Sequence, residues 1–216
     1  MRNNFVKILV LFLLFGTGVS AQDPAKTLPA DLEIPLKYGA ERLEKRQDAS
    51  MRKFRDNRLG LFIHWGLYAI TSGEWNGKLY DGPSSFLLKS ANITPKEWMK
   101  LMDRWNPTNF DAFRWAQMAK RMGVKYLKIT TKHHDGFCLW PSAYSKYTVA
   151  QTPGKRDIIG ELVKAFDAEG IDVHLYYSIL DWSHPDFRYS IKSKEDSIAF
   201  SRFLEFAENQ IKELAT

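Results

Sequence analysis

An alternation restricts this chain more than any other feature. Three times a short run of β-forming residues ends in ring-bearing side chains, passes through a loop and gives way to a helical pattern. Strand, loop and helix in repetition imply parallel strands with right-handed crossovers, because antiparallel neighbours would need only tight hairpins. The first run, residues 58–66, is apolar from Leu59 to Ile63, reads as a buried strand, and ends in His64 and Trp65. The second begins after Gly123 with Tyr126, Leu127, Ile129, Thr130 and Thr131, and runs out into His133, His134 and Asp135 before Gly136 turns the chain. The third, residues 172–178, ends in Tyr176 and Tyr177.

Polar groups gathered at the carboxyl ends of consecutive parallel strands fit a barrel better than an open sheet. No Gly-rich phosphate loop follows any strand, which argues against a dinucleotide fold. The fold class is therefore α/β: the N-terminal part of a (β/α)8-like (TIM) barrel with three βα units present. Three strands cannot close a barrel that needs about 250 residues, so the chain of 216 residues reads as the N-terminal portion of a larger enzyme.

The helices have written boundaries. Thr94 with Pro95 and Glu97 is a capping box. A helix over about 110–122 carries Phe110, Phe113, Ala116 and Ala119 at three-residue spacing and stops at Gly123. Asp157 caps a helix with Ile158, Ile159, Leu162, Val163 and Phe166 on one face, closed by Gly170. Ser193 and Asp196 open the last helix, whose face is Phe200, Phe203, Leu204, Ala207, Ile211 and Leu214.

Upstream, Arg2 and Lys7 precede the apolar run 8–15, and Val19-Ser20-Ala21 is a small-residue cleavage site. This is the pattern of a cleavable signal peptide over 1–21, with a cut after Ala21 and a secreted or periplasmic destination. Residues 22–44, with three prolines, read as a linker, and 45–216 as the N-terminal portion of the barrel. The leader is too short to span a bilayer, and no other segment is apolar enough to do so. The formal net charge of +6, two units of it from Arg2 and Lys7, is scattered among acids, which excludes a nucleic-acid partner. Cys138, the sole cysteine, reads as a small packed side chain rather than half of a disulfide.

Four segments carry a resemblance. Residues 60–68 (Gly-Leu-Phe-Ile-His-Trp-Gly-Leu-Tyr), Glu74-Trp75, residues 132–140 (Lys-His-His-Asp-Gly-Phe-Cys-Leu-Trp) and residues 176–182 (Tyr-Tyr-Ser-Ile-Leu-Asp-Trp) resemble the α-L-fucosidases of glycoside hydrolase family 29. The match runs from about residue 45 to Thr216. It implies a barrel-type catalytic domain and retaining hydrolysis of terminal α-L-fucosyl linkages in glycans, by two carboxyl groups about 5 Å apart and without a metal or other cofactor.

The resemblance also implies substrate-binding roles. His64 matches the family histidine that bonds a fucose hydroxyl. Glu74 and Trp75 match a Glu-Trp pair that holds the sugar, and His133 and His134 match the paired histidines. Tyr177 matches the tyrosine of the third strand, although the pattern does not separate it from Tyr176. The nucleophilic Asp and the acid/base are expected beyond Thr216, so none of Asp135, Asp157 or Asp181 is assigned to catalysis. The isolated 216 residues are expected to be inactive.

His174 and His184 read as structural. Two other classes compete. A metal-dependent hydrolase on a barrel would use His64, His133, His134 and Asp135 as ligands. A non-catalytic secreted sugar-binding remnant would keep the histidines, glutamate and tryptophan alone.

Overall fold

The computed structural model describes residues 7–9 and 48–216. Apart from residues 7–9, the leader and linker read over 1–44 lie outside the described residues. The chain divides into two units, residues 12–58 in one and residues 1–11 with 59–216 in the other. In the first, helix α1 (Ala49–Asp56) is N-capped by Asp48, whose side chain accepts from the Met51 amide.

The second unit is built on a parallel sheet. Its strands are β1 (Lys7–Leu9), β2 (Gly60–Ile63), β5 (Tyr126–Lys132) and β6 (Asp172–Tyr177), ordered β1-β6-β5-β2 with every pairing parallel. The three strands read from the sequence are therefore neighbours in chain order. Between β2 and β5 lie α2 (Tyr68–Thr71), a hairpin of β3 (Glu74–Trp75) and β4 (Lys78–Leu79), α3 (Leu87–Ser90), α4 (Pro95–Trp98) and α5 (Ala112–Arg121). Helix α6 (Ile158–Ala168) joins β5 to β6, and α7 (Lys194–Ala215) follows β6. The architecture is thus an α/β fold with a parallel sheet and helical connections.

Caps fall where the side chains demand them. Thr94 and Glu97 close the capping box of α4, with Pro95 in its first turn. Asp111, Asp157 and Ser193 each accept from a first-turn amide of α5, α6 and α7. Gly123 and Gly170 take φ of 79° and 68°, past the ends of α5 and α6.

The core lies between the sheet and these helices, with Leu127, Ile129, Ile158, Leu162, Phe166 and Phe203 all buried. Two helix faces differ from expectation. In α5 the buried residues are Ala112, Ala116 and Ala119, while Phe113 is half exposed. Steps of three residues fall 60° short of a full turn, so a stripe drawn at constant threes walks off the face, whereas alternating fours and threes hold it. In α7 the buried stripe is Ala199, Phe203, Ala207, Gln210 and Leu214; Leu204 lies beside it, half exposed. Strand β2 is likewise less buried than its apolar run suggests. Among the described residues it pairs on one side only, and Leu59 and Phe62 are exposed.

Candidate functional site

The site gathers at the carboxyl ends of β2, β5 and β6. A register irregularity makes this possible. Thr130 pairs with Tyr176, but Lys132 pairs with Tyr177, so β5 advances two residues against one of β6. Without it, Lys132 would share a face with Thr130. Instead its ammonium sits 4.5 Å above the Tyr177 ring, on the side facing α7. The strand ends there, one residue later than the sequence suggested. His133 and His134, no longer bound to alternate, place their rings 4.2 Å apart.

His64 comes from the end of β2, with its ring 5.6 Å from His133 and 6.3 Å from Tyr176. Tyr176 stacks near His133 at 6.3 Å. Of the two tyrosines left open by the sequence, Tyr176 is the one beside the histidines, and the Tyr177 named from the resemblance lies on the other face of β6. On β6, Tyr176 shares a face with His174, and Tyr177 points the opposite way, as neighbours on a strand must. The Tyr177 hydroxyl donates to Gln210 Oε1 on α7 at 2.8 Å, and its ring is fully buried.

Further aromatic side chains wall the histidines. Phe86 meets His133, His134 and Trp182 edge-on, with centroids 6.3, 5.3 and 5.5 Å away, and Tyr68 meets His133 at 5.6 Å. Thr130 Oγ1 exchanges hydrogen bonds with the backbone of Trp65, which pins the end of β2 to β5 beside His64. Glu74 and Trp75 sit on the hairpin. Trp75 packs against Trp98 at 6.0 Å, and Trp98 Nε1 donates to Asp135 Oδ2 at 2.9 Å, so Trp75 is tied to the histidine loop through two residues. Glu74 is exposed, and among the described residues no hydrogen bond or ion pair joins it to the histidines.

Beneath the histidines lies a buried ion pair. Lys132 Nζ contacts Asp181 Oδ2 at 2.7 Å, with side chains 0% and 2% exposed. Asp181 Oδ1 also accepts from the Ser183 amide and hydroxyl and the His184 amide. Burial alone would lower the Lys132 pKa, yet the facing carboxylate holds it above the usual lysine range. Burial would raise the Asp181 pKa, and the ammonium outweighs that too. The pair is charged, and it staples the loop after β6 to the end of β5.

The electrostatics keep the imidazoles neutral. Burial, then the neighbouring rings His134 and His64, pushes the His133 pKa down to about 3. Burial, then the Lys132 charge, pushes His134 to about 4. His64 is lowered by desolvation and Lys128. Asp135, fully enclosed, is pushed up to about 6 by burial, against the opposing pull of its bond from Trp98. Neutral imidazoles each offer one donor and one acceptor, as a polyhydroxylated ligand requires. Among the described residues, His133 Nδ1 and Trp182 Nε1 are buried with no hydrogen-bond partner, so the cluster carries unfilled bonding capacity.

Neither nearby carboxylate is spare: Asp135 accepts from Trp98 and the Phe137 amide, and Asp181 is ion-paired. Asp157 is an N-cap. His174 stacks on Tyr126 at 5.0 Å, and His184 packs between Phe203 and Phe206. Among the described residues no three His, Cys, Asp or Glu side chains converge to hold a metal ion, so His64, His133, His134 and Asp135 do not form the ligand set considered from the sequence. A groove of about 470 Å³ lined by Phe110, Asp111, Arg156, Glu161 and Lys164 shares no residue with the histidine cluster.

Several participants were missed in the sequence. The Asn76-Gly77 turn, with φ of 50° and 75°, is the standard signal for the two-residue hairpin that carries Glu74 and Trp75, and it was there to be read. Phe86 and Trp98 carry no local signal, and although Tyr68 and Ser178 stand in the segments of the resemblance, only tertiary proximity reveals what they touch.

Neutral imidazoles and a phenol thus stand at the carboxyl-terminal strand ends of a parallel α/β sheet, the place where such folds carry small-molecule sites. The α-L-fucosidase family model matches residues 30–216. The chain belongs to the α-L-fucosidase family, glycoside hydrolase family 29. It is 72% identical to an α-L-fucosidase of that family from Bacteroides thetaiotaomicron, over 79% of this chain and 39% of that one, with a TM-score of 0.78. It is 38% identical to α-L-fucosidase isoenzyme 1 from Paenibacillus thiaminolyticus, over 77% of this chain and 39% of that one, with a TM-score of 0.65. The bovine tissue α-L-fucosidase is 32% identical over 61% of this chain and 30% of its own length. The chain spans between 24% and 38% of the length of curated relatives such as those from rice and Dictyostelium discoideum.

Proposed function

We propose that this chain is the sugar-holding side of a retaining α-L-fucosidase, which cleaves terminal α-L-fucosyl linkages in glycans. The observation that carries the reading is the convergence of His64, His133, His134 and Tyr176, with a buried His133 nitrogen left unpaired. Fucose presents hydroxyls to neutral imidazoles and an apolar methyl to an aromatic wall such as Phe86 and Tyr68. Trp75 and Glu74 extend the site from the hairpin. Strands β2, β5 and β6, with the helices that follow them, form the first three βα units of a TIM barrel. Asp135 and Asp181 are both committed to other contacts and are not assigned to catalysis, and the chain covers only 39% of the Bacteroides relative. Residues 1–21 act as a signal peptide for secretion or periplasmic export, 22–44 as a linker, and 45–216 as catalytic-domain sequence.

The complete polypeptide is expected to hydrolyse 4-nitrophenyl α-L-fucoside by double displacement. Proton NMR of early product should then show α-fucose before mutarotation, with activity that survives a chelator. Initial β-fucose, or activity abolished by chelation, would overturn this reading in favour of direct attack by an activated water.

A further inference from the structure

We propose that Ser178 is a positioning residue that fixes the tautomer of His134, so that His134 presents an unprotonated Nε2 to a hydroxyl of the bound sugar. The inference rests on the sugar-binding reading of the site and deepens it, by stating which partner is donor and which acceptor.

Ser178 Oγ lies 2.8 Å from the Leu180 carbonyl oxygen and 2.6 Å from His134 Nδ1. A hydroxyl has one proton to give, and a carbonyl oxygen can only accept. If Ser178 gave its proton to Nδ1, its oxygen and that of Leu180 would face each other at 2.8 Å with no hydrogen between them. The proton therefore goes to Leu180. The serine oxygen then accepts from His134, and Nδ1 carries the hydrogen. A second proton on the ring is disfavoured, because His134 is 3% exposed and the Lys132 ammonium is nearby. A neutral imidazole with its hydrogen on Nδ1 leaves Nε2 as a bare lone pair.

The backbone holds this arrangement from both sides. The Ser178 amide donates to the Lys132 carbonyl at 3.1 Å, and the Trp182 amide donates to the His134 carbonyl at 2.8 Å. The Lys132–Asp181 pair locks the same two segments together. The tautomer is thus set by the ends of β5 and β6 before any ligand arrives. The ligand atom that meets Nε2 must bring its own hydrogen. A hydroxyl satisfies that condition, whereas fluorine or hydrogen at the same position leaves the lone pair unmatched.

The test uses the complete polypeptide labelled with 15N-histidine, with the His134 signals assigned by comparison with His134→Asn. The expected spectrum shows a protonated Nδ1 and a bare Nε2 throughout pH 6–8. In Ser178→Ala the ring should populate both tautomers, with a roughly tenfold loss in kcat/KM on an α-L-fucoside. Ser178→Thr should restore both the spectrum and the rate. A protonated Nε2 in the wild type would overturn the proposal. So would a Ser178→Ala variant that loses activity while its His134 spectrum is unchanged, because the serine would then act on packing alone. Should Ser178→Ala fail to fold, the wild-type spectrum still decides. A bare Nε2 in a protein that does not hydrolyse fucosides would instead overturn the functional reading and leave the tautomer assignment standing.

Discussion

Three adjacent residues at the end of β5 titrate far from their ordinary ranges, and in opposing senses. His133 and His134 have folded pKa values of about 3 and 4, below the unfolded value near 6.5. Between those limits the unfolded chain binds more protons than the folded one, so each histidine makes stability fall as pH drops below about 6.5. Asp135 has a folded pKa of about 6, above its unfolded value of 3.8, so the folded chain binds the extra proton and gains stability on acidification through that window. Between pH 6 and 4, two groups oppose one. The cluster should therefore cost the protein about 1 kcal/mol of stability per unit of pH lost. Urea midpoints of the complete polypeptide at pH 7 and pH 5 would check this. The fall should shrink in His133→Gln, and an equal fall in that variant would mean that the histidine is not its source.

At the scale of elements, two loops approach closely at one glycine. Gly136 has a φ of 83°, and a Cβ there would land on Ser183 Oγ and Asp181 Oδ1. Gly77 in the hairpin turn has a φ of 75° but open space around it. Gly77→Ala should therefore cost only the left-handed backbone penalty of about 1–2 kcal/mol. Gly136→Ala should cost about 2–4 kcal/mol, because overpacking against the Asp181 turn is added to that penalty. Urea denaturation of the two variants separates the effects, and equal losses would mean that the loop approach is not tight. What the sequence revealed of these elements follows the same division between local and tertiary causes. The caps at Thr94, Asp157 and Ser193 were legible because each bond spans three residues. The three parallel strands were legible because each is a β-forming run bounded by glycine or a loop. The half-exposed Phe113 and Leu204 were not, since a helix face is set by what packs on it. The choice of Tyr176 over Tyr177 was not legible either, because it depends on strand alternation against a partner whose register shifts at Thr131. Lys132 was hidden for the same reason: a lysine inside a strand signals an exposed face, and only the tertiary fold brings Asp181 to it.

For the molecule as a whole, the helices hold the site together from behind. Glu213 on α7 accepts from Trp140 Nε1, Ser142 Oγ and the Ala143 amide, and Gln210 bonds Tyr177, Cys138 and Ser142. The last helix thus anchors both the strand behind the site and the loop that leaves it. The opposite face of the same sheet presents Tyr176 with the histidines, so adjacent residues of β6 serve binding and scaffold respectively. The central claim is that His64, His133, His134 and Tyr176 hold fucose while Tyr177 does not. The measurement that tests it most directly is kcat/KM of the complete polypeptide on 4-nitrophenyl α-L-fucoside for His133→Ala, Tyr176→Ala and Tyr177→Phe. The account predicts losses on the order of 10²-fold for His133→Ala and Tyr176→Ala, because each leaves a sugar hydroxyl unpaired in the transition state. Tyr177→Phe should lower stability and leave kcat/KM near wild type. Near wild-type rates for the first two variants, with the loss falling on Tyr177→Phe, would contradict it.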